Sequence, residues 1–163
     1  MLKNQVARML LLGLCFPLMS IAASPDDTQD LEISSEQFEY REKEGIATYQ
    51  GHVEAIQGSR RMNGDTLQVY RGKDGGINKI VVYGKPATHE SLPDPQKPLF
   101  HAQANTITFE INKNKLTLLD HARVEQGGDV YEAPLIEYDV TQKIVRSPES
   151  GSGRTTITLK PRE

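Results

Sequence analysis

Alternation of apolar and polar residues is the feature that most constrains how this chain can fold. After residue 24, no stretch keeps a helical apolar period for more than about two turns. Short runs of period two recur instead, as in Leu31-Glu32-Ile33, Leu67-Gln68-Val69 and Ile157-Thr158-Leu159. Turn-forming segments such as Gly72-Lys73-Asp74-Gly75-Gly76 separate these runs. The pattern predicts an all-β chain of roughly twelve to sixteen short strands.

A weak internal repeat underlies the alternation. Four segments consist of a small residue, two variable residues and then an apolar-x-apolar pair, and they begin at Ser35, Gly64, Ala104 and Ala133. Their spacings are 29, 40 and 29 residues. Repeats of this length indicate stacked units, each too small to bury its own apolar face.

Three of these repeats are followed by a strand that is predicted to end in a bend. The three bends are Gly51-His52-Val53, Gly84-Lys85-Pro86 and Asp120-His121-Ala122. Shifting the chain by 69 residues superposes His52 on His121, which favours a structural role for both. The longer middle spacing contains residues 88–98, and the three prolines there predict an exposed loop.

Stacked strands of this kind predict an open, twisted antiparallel β-jelly roll with one apolar face per strand turned inward. The pattern leaves open which of Val81 and Val82 faces in, because a slip of one residue reverses the face. The interior is either a packed core or an incompletely closed groove that binds lipid, and composition does not separate the two. The predicted inward residues are Leu31, Ile33, Phe38, Tyr40, Val53, Leu67, Val69, Ile80, Val82, Ile107, Phe109, Leu116, Leu118, Ile136 and Tyr138.

The first 22 residues have the pattern of a secretory signal peptide. Lys3 and Arg8 precede an apolar run, and Ser20-Ile21-Ala22 places small residues where signal peptidase requires them. An uncleaved anchor is the alternative, but the run is shorter than the roughly 20 residues that span a bilayer. We expect cleavage near residues 22 and 23, which leaves 23–163 as a single domain without its one cysteine, Cys15. Such an exported chain points to a periplasm.

Charge and residue types argue against several classes of function. The chain has 19 Lys and Arg against 22 Asp and Glu, a net charge of −3, whereas a nucleic-acid binder needs a basic surface. From this charge we expect a protein that binds no nucleic acid. Separately, one cysteine allows neither an internal disulfide nor a cysteine-rich zinc site.

Catalytic and metal-binding patterns are also missing from the sequence. The four histidines, His52, His89, His101 and His121, include no pair at metal-ligand spacing. Carboxylates mostly occupy outward strand positions or turns, where solvation explains them, and no Gly-x-Ser-x-Gly motif occurs. We therefore expect no enzyme activity, no cofactor and no metal site.

A stacked jelly roll leaves one unpaired strand at each end. The first lies near residues 31–34 and carries no proline or lysine to block further pairing. The last spans about residues 154–160 and is blocked only by Lys160-Pro161-Arg162. Two unlike open edges permit head-to-tail association with another copy.

Together, the repeat, the bend at Gly51-His52-Val53 and the motif Tyr83-Gly84-Lys85-Pro86-Ala87-Thr88 resemble the LptA family of periplasmic lipopolysaccharide-transport proteins, which have an OstA-like domain. The resemblance covers roughly residues 29–160. It implies an open β-jelly roll and a function without chemistry, in which a groove shields the acyl chains of lipid A.

The resemblance also implies partners. Family members bridge the inner-membrane LptBFGC complex and the outer-membrane LptD–LptE translocon. The N-terminal edge strand pairs with LptC and the C-terminal edge strand with LptD, while copies associate head to tail. Two alternatives remain open: a membrane-anchored LptC-like relay protein, and a jelly-roll scaffold or sugar-binding module with a packed interior.

Lipid-facing positions of the family match several residues of this chain. Leu31 and Ile33 match the pair on the first strand, and Phe109 matches the aromatic residue of the third repeat. His89 stands where an aromatic residue is usual in the family. The predicted lipid-binding groove consists of Leu31, Ile33, Phe38, Val53, Leu67, Val69, Ile107, Phe109, Leu116, Ile136 and Tyr138.

Overall fold

Ten β-strands make up most of the computed structural model, which describes residues 26–92, 95–149 and 153–161. The predicted signal peptide lies outside the described residues. Two short 3-10 turns, Asp26–Thr28 and Ile111–Lys113, accompany the strands. The strands are β1 (Glu32–Ser34), β2 (Gln37–Arg41), β3 (Ile46–Gln57), β4 (Arg60–Arg71), β5 (Ile77–Ser91), β6 (Phe100–Glu110), β7 (Lys115–Gln126), β8 (Asp129–Asp139), β9 (Ile144–Arg146) and β10 (Thr156–Thr158).

All ten strands belong to one antiparallel sheet in the order β1-β3-β4-β5-β6-β7-β8-β10. β2 lies beside β1 on the same edge of β3, and β9 lies beside β10 on β8. Within the described residues the two ends do not pair with each other, so the sheet stays open. The predicted all-β, open antiparallel fold is confirmed.

The strand count differs from the prediction because six strands, β3 to β8, are 11 to 15 residues long. Each joins two of the predicted short strands through a bend. His52, Asp120 and His121 adopt positive φ angles of 44°, 62° and 56° there, and pairing skips between Tyr83 and Ala87, so all three predicted bends are confirmed. Pairing skips at the bends, between Gln50 and Val53, Asn63 and Thr66, Tyr83 and Ala87, Gln103 and Thr106, and Leu119 and Ala122.

Since the bends lie side by side, the sheet folds over along them into two facing layers. We call this row of bends the fold line. Layer 1 consists of residues 37–41, 46–50, 66–71, 77–83, 106–110, 115–119, 135–139 and 144–146. Layer 2 consists of residues 32–34, 53–57, 60–63, 87–91, 100–104, 122–126, 129–133 and 156–158.

The small residue that opens each repeat lies at or next to the fold line. Ala104 and Ala133 are buried there. A Cβ added to Gly64 would lie 2.6 Å from the carbonyl oxygen of Tyr83. Close approach of neighbouring strands therefore explains why the repeat pattern begins with a small residue.

The middle of the sheet differs from the prediction in one place. Residues 88–98 were expected to form a loop, but β5 continues to Ser91, and Thr88 pairs with both Asn63 and Gln103. The first proline of the segment is Pro93, so nothing interrupts hydrogen bonding before it. Residues 95–99 are exposed, as predicted for the rest of the loop that the structure describes.

Candidate functional site

The interior between the layers contains most of the residues predicted for the groove. Seven of them are no more than 3% exposed: Val53, Leu67, Val69, Ile107, Phe109, Leu116 and Ile136. Leu31, Ile33 and Tyr138 are half-buried and pack against this cluster. The structure therefore brings ten of the eleven residues into one apolar interior.

The two layers contribute unequal side chains to this interior. Val82 pairs with Leu67 and Ile107 and faces inward, whereas Val81 pairs with Gln68 and Thr108 on the outer face. Layer 2 presents mainly alanines: Ala55, Ala87, Ala102, Ala104, Ala122 and Ala133. Layer 1 presents large side chains: Leu67, Val69, Ile80, Val82, Ile107, Phe109, Leu116, Leu118 and Ile136. Large residues from one layer thus fill the space left by small residues from the other.

At the N-terminal end, the inner face is exposed. Phe38 pairs with Tyr49, which pairs with the buried Leu67, so Phe38 faces inward as predicted. Phe38 is nevertheless 62% exposed and Tyr40 is 47% exposed. β2 is the last strand of layer 1, and no further strand of the described residues covers these two rings.

The C-terminal end shows the same arrangement. Ile157 pairs with Tyr131, which pairs with the buried Val124, so Ile157 continues the inner face of layer 2. Ile157 is 55% exposed, and the nearby Leu159 is 65% exposed. The apolar inner face therefore reaches both ends of the sheet without being covered.

Opposite the fold line, the strand ends and turns of layer 1 lie against those of layer 2. We call the line along which they meet the mouth. The rings of Phe100 in layer 2 and Tyr138 in layer 1 stack there, with centroids 4.7 Å apart. The guanidinium of Arg60 in layer 2 lies 4.7 Å from the ring centroid of Phe109 in layer 1. A cavity of about 30 Å³ lies between these contacts, so this part of the mouth is largely filled by its own side chains. Larger cavities of about 180 Å³ and 260 Å³ lie farther along, beside Tyr131 and beside Leu31.

Polar groups line this part of the mouth, and sequence reasoning did not predict them there. Asp26 accepts hydrogen bonds from the backbone and the hydroxyl of Ser59, both at 2.8 Å, and lies 3.7 Å from Arg60. Gln57 donates to the carbonyl of Gln29 at 3.1 Å. The N-terminal segment thereby lies against the mouth. The sequence did contain a signal for this arginine. Arg60 and Met62 are two positions apart in one strand and so share a face, and the apolar Met62 indicates that this face points inward.

His89 also faces the interior, where it is 4% exposed. Burial, together with the positive charge of Arg60, lowers its pKa to about 3, so the ring is neutral at physiological pH. Its ring meets that of Phe100 edge-on, with centroids 6.1 Å apart. Its Nδ1 atom is buried without a hydrogen-bond partner. A neutral imidazole thus occupies an inner-face position beside aromatic rings.

Two classes of feature were not found within residues 26–92, 95–149 and 153–161. No cluster of three or more His, Cys, Asp or Glu side chains is arranged to hold a metal ion. No helix in these segments has the length and hydropathy needed to cross a bilayer.

Comparison with known proteins shows which family the chain resembles. The family model described as the LptA/(LptD N-terminal domain) LPS transport protein matches residues 32–144. The lipopolysaccharide export system protein LptH of Pseudomonas aeruginosa is 32% identical over 138 residues, which cover 85% of this chain and 79% of LptH. The lipopolysaccharide export system protein LptA of Escherichia coli K12 is 28% identical over 159 residues, which cover 97% of this chain and 84% of LptA.

A solved structure agrees with the sequence matches. The crystal structure of LptH, the LptA-homologous periplasmic component of the lipopolysaccharide transport device of Pseudomonas aeruginosa, superposes with a TM-score of 0.79 at 30% identity. The match covers 85% of this chain and 100% of that one. The resemblance inferred from the repeats and the Tyr-Gly-Lys-Pro-Ala-Thr motif is confirmed, and the chain belongs to the LptA/LptD N-terminal domain family of lipopolysaccharide-transport proteins.

Proposed function

We propose that this protein is a periplasmic lipopolysaccharide carrier that shields the acyl chains of lipid A between its two layers. The observation that supports this function is an apolar inner face that runs along the whole sheet and is exposed at both ends, at Phe38 and at Ile157. Each CH₂ group removed from water gains about 0.8 kcal/mol, so a chain of a dozen carbons gains roughly 10 kcal/mol. A continuous apolar path supplies that gain at every step of transfer.

Acyl chains enter through the mouth. The fold line joins the layers through six continuous strands, whereas the mouth is closed by side-chain contacts such as the Phe100–Tyr138 stack. Side-chain contacts of this kind can separate, whereas the continuous strands keep the layers covalently joined at the fold line. We therefore expect the layers to separate at the mouth and the fold line to act as the hinge, so that acyl chains replace contacts between layers.

Neighbouring proteins extend the path at both ends. The outer sides of β1 and β2 at one end and of β9 and β10 at the other pair with no further strand of the described residues. Strand addition at such edges would align one inner face with the next. In this proposal the N-terminal edge pairs with LptC of the inner-membrane LptBFGC complex, and the C-terminal edge pairs with LptD of the LptD–LptE translocon. Further copies join head to tail.

No step of this function requires catalysis by the chain. Transfer along the path needs only repeated burial of acyl chains, and the energy that gives it direction enters through a partner. Residues 1–22 direct export to the periplasm, and the domain from residue 23 onward remains there after cleavage. The relatives named lipopolysaccharide export system proteins support this assignment.

Photocrosslinking from paired inner and outer positions tests the lipid path. We expect a photoreactive residue at Ile33 or Phe109 to crosslink to lipopolysaccharide in periplasm-containing cells, because both side chains face the interior. The neighbouring positions Glu32 and Thr108 face outward and serve as matched controls. Equal crosslinking from inner and outer positions, or no crosslinking from the inner ones, would contradict the proposed lipid path.

A substitution at the half-buried first strand gives a second test. Ile33→Asp places a charge on the inner face, and we expect lipid A affinity to fall by about tenfold or more with β-sheet content unchanged. Ser34→Asp adds the same charge on the outward, exposed position next to it and is the control. Affinity is measured by titration with lipid A, and sheet content by circular dichroism.

A further inference from the structure

The carboxylate of Asp26 accepts the hydrogen bonds that the turn between β3 and β4 donates. We propose that this turn, Gly58-Ser59-Arg60, is a binding site for a phosphate group of the lipid whose acyl chains enter the interior, and that Asp26 fills the site when no lipid is bound. The proposal rests on the carrier function proposed above and names the headgroup chemistry that the mouth recognises.

The donors converge on the two carboxylate oxygens. The backbone N–H of Ser59 donates to Oδ1 at 2.8 Å, and the Ser59 hydroxyl donates to Oδ2 at 2.8 Å. The backbone N–H of Leu92 in turn donates to Ser59 Oγ at 3.1 Å. Because that contact uses a lone pair of the hydroxyl oxygen, the hydroxyl hydrogen is directed towards the anion.

The turn leaves room for an oxygen atom that a side chain would occupy. Gly58 has a positive φ of 59°, and a Cβ added there would lie 2.3 Å from Oδ1 of Asp26. Turns that combine a positive φ with free backbone N–H groups are known anion-binding concavities. Gly58 therefore provides both the conformation and the space for the anion.

The charge of Arg60 at the mouth favours an anion in the site. The side chains of Arg60 and Asp26 are only 10% and 14% exposed. The guanidinium also lies over Phe109 and 3.3 Å from the side-chain oxygen of Gln57. A lipid that displaces the segment around Asp26 would take this carboxylate away from a largely buried cation, which is unfavourable. An entering lipid that carries its own anion avoids that cost.

A phosphate monoester fits these groups better than a carboxylate does. It offers three acceptor oxygens, and the site holds two Ser59 donors and the Arg60 guanidinium. His89 lines the same cavity with its Nδ1 atom unpartnered, and the Nδ1–H tautomer can donate a further hydrogen bond. The apolar interior begins directly behind, at Phe109. The arrangement therefore matches a phosphorylated amphiphile rather than a free polar anion.

The test compares two lipids with the same acyl chains, bisphosphorylated lipid A and its fully dephosphorylated form. We expect the full chain to bind the phosphorylated lipid more tightly. Asp26→Ala removes the competing anion and should raise the ratio of the two affinities about tenfold, whereas Asp30→Ala, an exposed charge in the same segment, should leave it unchanged. Ser59→Ala and Arg60→Gln should lower the ratio towards one, and circular dichroism verifies that each variant is folded.

The outcomes separate this proposal from the carrier function. If neither lipid binds, the carrier function fails and the headgroup site fails with it. If both lipids bind but the ratio does not respond to Ser59→Ala and Asp26→Ala, the carrier function stands and the phosphate site is wrong. Titration with inorganic phosphate alone distinguishes the source of the anion. Saturation at the concentrations that saturate with lipid A would assign the site to free phosphate and overturn the proposal.

Discussion

At the scale of single residues, Arg60 and His89 show how basic side chains are accommodated beside an apolar interior. The guanidinium of Arg60 lies 3.7 Å from the Asp26 carboxylate and 4.7 Å from the ring centroid of Phe109. His89 instead loses its charge, because burial and the nearby guanidinium disfavour a second cation. The ring of His89 is therefore neutral beside this cation.

The lowered pKa of His89 makes the free energy of unfolding depend on pH. The unfolded chain binds a proton at this residue near pH 6.5, whereas the folded chain does so only near pH 3. Stability is therefore complete above pH 6.5 and falls as the pH drops towards 3, by at most about 1.4 kcal/mol per pH unit. We expect urea unfolding of His89→Phe to show a shallower loss between pH 6.5 and pH 5.

The control for this measurement is His121→Asn, which removes an exposed histidine from a bend that asparagine tolerates. Its stability should follow the same pH dependence as the unsubstituted chain. If His89→Phe and the unsubstituted chain lose stability in parallel, His89 does not stay neutral in the folded state.

At the scale of elements, the bends decide how the sheet becomes two layers. A row of straight strands would form a flat sheet with one face in water, whereas bent strands bury both halves of the same face. Positive φ angles at His52, Asp120 and His121 accompany this change of direction in β3 and β7. The hydrogen bond between Nδ1 of His52 and the carboxylate of Glu36, 2.6 Å long, lies at the first bend and is exposed to solvent.

Close packing at the fold line predicts a cost for enlarging Gly64. We expect Gly64→Ala to destabilise the chain by about 1–3 kcal/mol, because its Cβ would meet backbone and Val82 atoms at 2.6 Å. Gly76→Ala is the matched control, since its Cβ would make only ordinary contacts at 3.5 Å or more with Asp74. Chemical unfolding of both variants measures the difference, and equal stability would mean that the fold line is not tightly packed.

At the scale of the whole molecule, the two exposed ends of the inner face are the most consequential feature. They are unlike each other, with Phe38 and Tyr40 in layer 1 at one end and Ile157 in layer 2 at the other. Two different apolar ends favour head-to-tail association, which produces open chains of copies rather than a closed dimer. Exposed apolar side chains at a strand edge otherwise promote aggregation.

Head-to-tail association predicts a specific result when the two ends are blocked separately. Phe38→Asp and Ile157→Asp should each reduce the concentration-dependent oligomers of the unsubstituted chain. An equimolar mixture of the two variants should form a heterodimer, because each keeps one intact end. Leu119→Asp, which changes an exposed residue in the middle of β7, should not affect association. Sedimentation velocity measures all five samples, and a mixture that remains monomeric would contradict end-to-end contact.

The sequence by itself determined the all-β class, the repeat, the bends and the inward face of most strands. These follow from local rules, because alternation selects a face and turn residues select a change of direction. It also pointed to the family through a motif that lies at one of those bends, Tyr83-Gly84-Lys85-Pro86-Ala87-Thr88.

Only the tertiary structure decided which inward residues are buried and what closes the mouth. Alternation assigned Phe38 and Val69 to the same inner face, yet one is 62% exposed and the other 3%, because burial depends on whether another strand lies alongside. The meeting of Asp26 with Ser59 joins residues more than 30 positions apart. No local pattern encodes such a contact, since it exists only when the folded sheet brings the N-terminal segment against the turn between β3 and β4.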